Sequence, residues 1–339
     1  MPEVRLPTHV PRRKPPLRKR ALQAVGWAAF VGGGVATPRL AAKAATRVWC
    51  KIPGNPGRRK DNRPWLGELA MVDVGLNSPL AVETWEPFSR PGLDTPAAAA
   101  PRQATPDGGG QDQGVGTASA NGDGDGEPKT VLLMHGWGGW RGQVAAFVEP
   151  LTEAGFKVVA ADALSHGDSG PGPHGPRHSS GAELMDSFDA LVKATGQPHG
   201  VIAHSLGCAA ACRSLLEGRL TADRLTLVSP SPDMVRVAEA FARSLGFGPR
   251  PTRMLFEEME KWTGRRLADF DIAQMGGAGL LPDALVIHDA VDKESPYRTS
   301  QLIAAQWPGA NLVTTQGLGH HRILIDPEVV RRAAANITA

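Results

Sequence analysis

His204-Ser205-Leu206-Gly207 follows the apolar run Val201-Ile202-Ala203 and opens a helix-like segment from Leu206. A serine at a strand-to-helix turn is held in a strained backbone conformation with its hydroxyl projecting above the sheet, and the turn requires small residues two before and two after it. Ala203 and Gly207 meet that requirement. A serine hydroxyl is a weak nucleophile at neutral pH, so it needs a base, and the base needs an acid to fix its tautomer and stabilise the imidazolium. Both types of group stand near the C-terminus. Asp289 and Asp292 lie just beyond the apolar run ending at Ile287, and His320 and His321 follow Gly317-Leu318-Gly319 beyond the next run. A fourth stretch, from Val131 through Met134 into His135-Gly136-Trp137-Gly138-Gly139, is an apolar run entering a glycine-rich loop. Glycines there let backbone N–H groups turn toward a developing negative charge. With Ser205 as nucleophile, the N–H groups of Trp137 and Leu206 are the natural oxyanion pair. A phosphate cradle would instead require GxGxxG or a Lys-Ser/Thr ending, and the loop has neither.

These residues are far apart in sequence, so the elements between them must bring them together. After Lys129 short apolar runs alternate with longer amphipathic segments. The pattern predicts strands at Val131–Met134, Lys157–Ala161, Gly200–Ala203, Leu225–Val228, Ala284–Ile287 and Asn311–Thr314. It predicts helices at Arg141–Glu153, Ala182–Ala194, Leu206–Glu217, Tyr297–Gln306 and Pro327–Ala335. Such alternation specifies an α/β fold with a mostly parallel sheet covered by helices on both faces. Side chains past the carboxyl ends of parallel strands converge on one rim, where Ser205, Asp292 and His320 can meet. Before this, alternation from Leu69 to Val74 and from Leu80 to Trp85, with a turn at Asn77-Ser78, predicts a hairpin. Residues 234–281 break the alternation with helical segments (Val235–Leu245, Leu255–Thr263) and no strand, the pattern of a small helical lid.

From about Glu68 to the end the chain resembles the α/β-hydrolase superfamily. The resemblance rests on His135–Gly139, Asp162–Ser169, Ala203–Gly207, His288–Pro296 and Gly319-His320, with alanine at 203 where the pattern has glycine. It implies Ser205 as nucleophile, Asp292 as acid, His320 as base and the Trp137 and Leu206 amides as the oxyanion hole. The family spacing, with Pro296 four residues on, favours Asp292 over Asp289, while Asp233 is the alternative where the acid follows the preceding strand. His320 directly follows Gly319, whereas His321 would point elsewhere in a helix beginning there. His135 and His204 belong to turns. His166, His174 and His178 lack metal-ligand spacing, and Cys208 reads as a small helix residue packed on the sheet rather than a rival nucleophile. Trp137 and Trp140 either line a pocket or cover the sheet edge. The implied activity is a carboxylesterase-like serine hydrolase, acting on a small-molecule carboxylic ester or similar acyl substrate with no cofactor and no metal. The same triad would serve an acyltransferase, thioesterase, amidase or C–C hydrolase. A reading of another class is a catalytically silent binding or membrane-peripheral protein.

The 339 residues are 41% hydrophobic and 21% charged, enough for one large domain or two small ones with a well-buried core. No run approaches the roughly 18 to 20 apolar residues a spanning helix needs, and three cysteines suit a reducing compartment, giving a cytoplasmic expectation. The net charge of +3 is split: residues 1–60 hold fourteen Lys or Arg and one acid, leaving −10 for the rest. Confined to a proline-rich end, this basic charge does not suggest nucleic-acid binding. Residues 1–20 read as a disordered basic leader able to touch a membrane surface weakly. Residues 21–67 read as a helical or irregular segment, in which residues 21–50 are either an export signal or an amphipathic helix packed on the domain or lying on a membrane surface. The hydrolase domain then spans 68–339, with a Gly-, Pro- and Ala-rich disordered insertion at 87–128 and the lid at 234–281.

Overall fold

Residues 37–54, 60–88 and 127–339 are described in the structure, a computed structural model. The leader, residues 21–36 and all but the ends of the 87–128 insertion lie outside the described residues. In chain order the elements are α1 (Pro38–Trp49), β1 (Glu68–Val72), β2 (Leu80–Trp85), β3 (Thr130–Met134), α2 (Val148–Glu153), β4 (Lys157–Ala161), α3 (Gly181–Thr195), β5 (Gly200–His204), α4 (Leu206–Leu216) and β6 (Arg224–Val228). They continue with α5 (Met234–Ser244), α6 (Pro249–Thr263), α7 (Ile272–Gly277), β7 (Ala284–Asp289), α8 (Arg298–Gln306), β8 (Ala310–Thr315), α9 (Gly319–Arg322) and α10 (Pro327–Thr338).

The strands form one sheet in the order β1-β2-β4-β3-β5-β6-β7-β8. β2 runs antiparallel to β1 and β4, and the pairs from β4 onward are parallel. Successive strand residues face opposite sides, so β3 sends Leu132 and Met134 into one apolar core and Val131 and Leu133 into the other. Helices α3 and α4 cover the first face, and α2 and α10 the second. The parallel strands are buried on both faces, which is why they read as continuous apolar runs.

Two sequence expectations change. Residues 141–153 are not one helix: two 3₁₀ turns (Arg141–Gln143, Ala145–Phe147) precede the short α2. The Arg141 side chain is drawn into buried ion pairs that fix this stretch, and an apolar spacing cannot distinguish a 3₁₀ turn from an α-helix. The β1–β2 hairpin closes through residues 73–79 rather than a short turn, because that loop reaches across to Pro171, whose carbonyl accepts a hydrogen bond from Ser78 Oγ at 2.8 Å.

A third apolar cluster lies above the sheet. Ala41, Ala42 and Ala45 of α1 pack against Ala238 and Ala242 of α5 and Leu255 and Met259 of α6. Small residues on α1 permit the close approach, and Trp49 meets Phe241 with ring centroids 5.2 Å apart. Beyond α1, Ile52 N–H donates to the Arg177 carbonyl at 2.8 Å and Ser179 N–H to the Cys50 carbonyl at 2.9 Å. The helix is thereby tied to α5 and α6 and to the loop after β4. Among the described residues no helix is long and apolar enough to cross a membrane.

Candidate active site

The sheet order reverses between β4-β3 and β3-β5, and in parallel sheets the crevice at such a switch point receives ligands. Register sets Met134 opposite Ala203 there, so the loops leaving β3 and β5 lie side by side. Ser205 sits at φ 52°, ψ −121°, a conformation unusual for a residue with a side chain. Its flanking glycines are required by contact: a Cβ on Gly136 would lie 2.7 Å from Ser205 Cβ, and one on Gly207 would lie 2.5 Å from the His135 carbonyl oxygen.

The structure brings Ser205, His320 and Asp292 together. His320 Nδ1–H donates to Asp292 Oδ2 at 2.7 Å, which leaves Nε2 to accept from Ser205 Oγ at 3.1 Å. The Asp292 side chain is fully buried, and its other oxygen accepts the N–H groups of Glu294 at 2.8 Å and Ser295 at 2.9 Å. Burial pushes this carboxyl up, but hydrogen bonds from His288 and His320 outweigh it and hold it well below the ordinary carboxylate range. His288, which the sequence reading passed over, is buried behind the pair. Its Nε2–H donates to the Ser295 carbonyl at 3.1 Å and lies 3.4 Å from Asp292 Oδ2, while Nδ1 accepts from Ser300 Oγ at 2.6 Å.

The near-duplicates have other partners. Asp289 accepts from Thr315 Oγ1 and Leu318 N–H at 2.9 Å and from Val291 N–H at 3.1 Å, tying the ends of β7 and β8 to the loop that carries His320. Asp233 caps α5 through Val235 N–H at 2.9 Å. His321 stands at the rim, accepting from Gln143 Nε2 at 3.1 Å and donating to Glu294 Oε1 at 3.0 Å. His204 Nε2–H donates to the His320 carbonyl at 3.0 Å, and burial followed by the neighbouring His320 and His321 keeps its ring neutral, well below the ordinary imidazole range. His135 Nε2 accepts from Ala163 N–H at 3.0 Å, fixing the β3 loop to the β4 loop. Cys208 is fully buried, which raises its thiol far from the thiolate range. His174 packs tilted against Trp262 with ring centroids 4.1 Å apart, and among the described residues no group of three or more His, Cys, Asp or Glu could hold a metal ion.

Above Ser205 lies a cavity of about 320 Å³, with Trp137, Leu206, Met234, Met259 and Phe270 in its wall. Trp49 and Cys50 also line it, a contribution of the N-terminal segment that the sequence reading missed. The small and apolar residues Ala41, Ala42, Ala45 and Trp49 carry the helical spacing behind the expectation of a packed amphipathic helix, but that spacing does not say which part of the domain the helix covers. Leu206 opens α4, so its N–H has no acceptor within the helix. Trp140, by contrast, has the guanidiniums of Arg63 and Arg141 over its ring, at 5.0 and 5.5 Å from its centroid.

The sequence profile of the Alpha/beta hydrolase family matches residues 131–333, and the chain belongs to that family. Among solved structures, Est1E of Butyrivibrio proteoclasticus with bound ferulic acid is 18% identical with a TM-score of 0.52, over 80% of this chain and 100% of that one. Alpha/beta hydrolase domain-containing protein 10 from mouse is 13% identical with a TM-score of 0.51, over 80% and 97%. A hydrolase from Pseudomonas aeruginosa is 19% identical with a TM-score of 0.50, over 80% and 98%. At these identities the likeness is one of fold. No curated protein matches the chain.

Proposed function

We propose that the protein is a carboxylesterase-like serine hydrolase that cleaves a carboxylic ester or similar acyl substrate through Ser205, His320 and Asp292. The observation that carries the reading is the unbroken hydrogen-bonded chain from Ser205 Oγ through His320 to Asp292, at 3.1 and 2.7 Å. Ser205 Oγ attacks the acyl carbon while its proton passes to His320 Nε2. The carbonyl electron pair moves onto oxygen, where the N–H groups of Trp137 and Leu206 receive it. Collapse of this tetrahedral species expels the alcohol oxygen, which takes the proton from His320. Water then repeats the sequence on the acyl-enzyme and returns Ser205 to its starting state. Asp292 remains ionised throughout, holding the imidazole tautomer and stabilising its cation.

The cavity's size falls at the lower end of the range for small-molecule sites, and its apolar wall suits an acyl group without charge. The test is labelling with a fluorophosphonate probe, comparing the native protein with Ser205→Ala, alongside turnover of aryl esters of increasing acyl length. The reading expects labelling and turnover in the native protein and loss of both in the variant. A folded native protein that neither labels nor turns over ester would overturn it. Labelling without ester turnover would retain the nucleophile and redirect the search to thioesters, amides or acyl acceptors.

A further inference from the structure

Helix α1 closes the cap with one face and presents a different chemistry on the other. Arg39, Lys43, Arg47 and, just past the helix, Lys51 are exposed and spaced four residues apart; beside them run Leu40, Ala44 and Val48. Side chains at that spacing stand one above another on a helix, so Arg39, Lys43 and Arg47 form a cationic stripe flanked by an aliphatic one, with Lys51 exposed beyond its end where the chain bridges to His178. Leu40 is 64% and Val48 53% exposed, among the largest such values for apolar residues in the described structure. Among the described residues none of the four cations is paired with a carboxylate. Like charges at this spacing weaken a helix, a cost that an anionic partner would remove.

The distribution of charge extends the pattern. Residues 37–54 contain four Lys or Arg and no acid, while residues 61–339 carry a net −10. On the helices that α1 packs against, Glu239 pairs with Arg243 at 3.8 Å and Glu257 with Arg253 at 3.6 Å, both within their own helices. An anionic surface would therefore attract the α1 side and repel the body, orienting the molecule as well as binding it.

We propose that the exposed face of α1 docks the protein on an anionic lipid bilayer. Arg39, Lys43, Arg47 and Lys51 would meet the headgroups, with Leu40 and Val48 reaching the acyl boundary. The interleaved aliphatic side chains favour a bilayer over a nucleic acid, whose binding faces interleave cations with aromatic and hydrogen-bonding groups. Because the last turn of α1 places Trp49 in the cavity wall, docking would hold that cavity beside the membrane. The inference concerns binding and does not rest on the hydrolase reading.

Flotation of the full chain with phosphatidylcholine vesicles, with and without phosphatidylserine, tests it. The native protein is expected to float with anionic vesicles only and to be released by high salt. Replacing Arg39, Lys43, Arg47 and Lys51 together by Gln should weaken partitioning roughly fivefold per charge removed. Leu40→Ser with Val48→Ser should weaken it at unchanged charge and serves as the second variant if the fourfold one fails to fold. Arg331→Gln with Arg332→Gln, on the remote α10, should leave it unchanged. Absence of native binding, equal binding to neutral vesicles, or native-like binding by either α1 variant in folded form would overturn the proposal. Retention of a short DNA duplex without vesicle binding would also overturn it.

Discussion

Asp289 and Asp292 lie three residues apart, and in both the upward push of burial is outweighed by hydrogen bonds. Their donors separate them. Asp292 takes the His320 N–H, whereas Asp289 takes backbone and hydroxyl donors from the strand ends and the loop before His320. Asp292→Asn should therefore lower kcat on an aryl ester by on the order of 10³ to 10⁴, through the wrong imidazole tautomer. Asp289→Asn should instead cost roughly 1 to 3 kcal/mol of stability, since one of its donors loses its acceptor, and should lower kcat much less. Paired kcat and urea-unfolding measurements decide, and the reverse pattern would exchange the roles. Sequence spacing brought both carboxylates to the same strand end, and resemblance chose between them. The physical discriminator is the Leu318 amide 29 residues away, which no local pattern exposes.

Among the elements, the parallel strands were legible because burial on both faces makes them continuous apolar runs. The stretch after β3 was not, because its conformation answers to a buried charge cluster assembled from three distant segments. Arg141 reaches Glu83 of β2 at 2.8 Å, Asp162 after β4, and Asp168 at 2.9 Å, while its own N–H donates to Asp162 at 2.6 Å. The guanidinium and the two deepest carboxylates are almost wholly buried. Here burial pulls the arginine down and the carboxylates more than restore it. This cluster anchors the loop that begins at His135, so it sets the position of the Trp137 amide. Arg141→Met leaves buried carboxylates uncompensated and should lower unfolding free energy by about 3 to 5 kcal/mol. Arg141→Lys should recover little of it, because one ammonium cannot reproduce the planar fork. A urea midpoint close to native for Arg141→Met would count against this account.

At the scale of the whole molecule, stability depends on pH through buried groups that pull in opposite directions. Burial pushes Glu183 of α3 up to about 7 from an ordinary 4.5, with the Ser165 hydroxyl, 3.5 Å from its Oε1, partly offsetting it. A raised carboxyl binds its proton more tightly in the folded state. Its stabilising contribution is therefore complete below the unfolded value of about 4.5 and is lost as pH rises through about 7. For a residue this deeply buried the loss amounts to about 3 kcal/mol. His204 acts with the opposite sign: burial lowers it well below 6.5, so stability falls as pH drops below that value. His174 is lowered in the same sense. Between pH about 5 and 6.5 the carboxyl and imidazole contributions offset each other, and the native protein should show a shallow dependence there. Glu183→Gln removes its share of the carboxyl side, to which Asp186 and Asp189, also raised by burial, contribute in the same sense. Its unfolding free energy should rise with pH through 6.5, and relative to native it should gain about 3 kcal/mol between pH about 5 and 8. Urea unfolding of both proteins across that range provides the measurement. Parallel curves would mean that Glu183 is ionised equally in the folded and unfolded chains, and the buried protonated carboxyl would have to be abandoned.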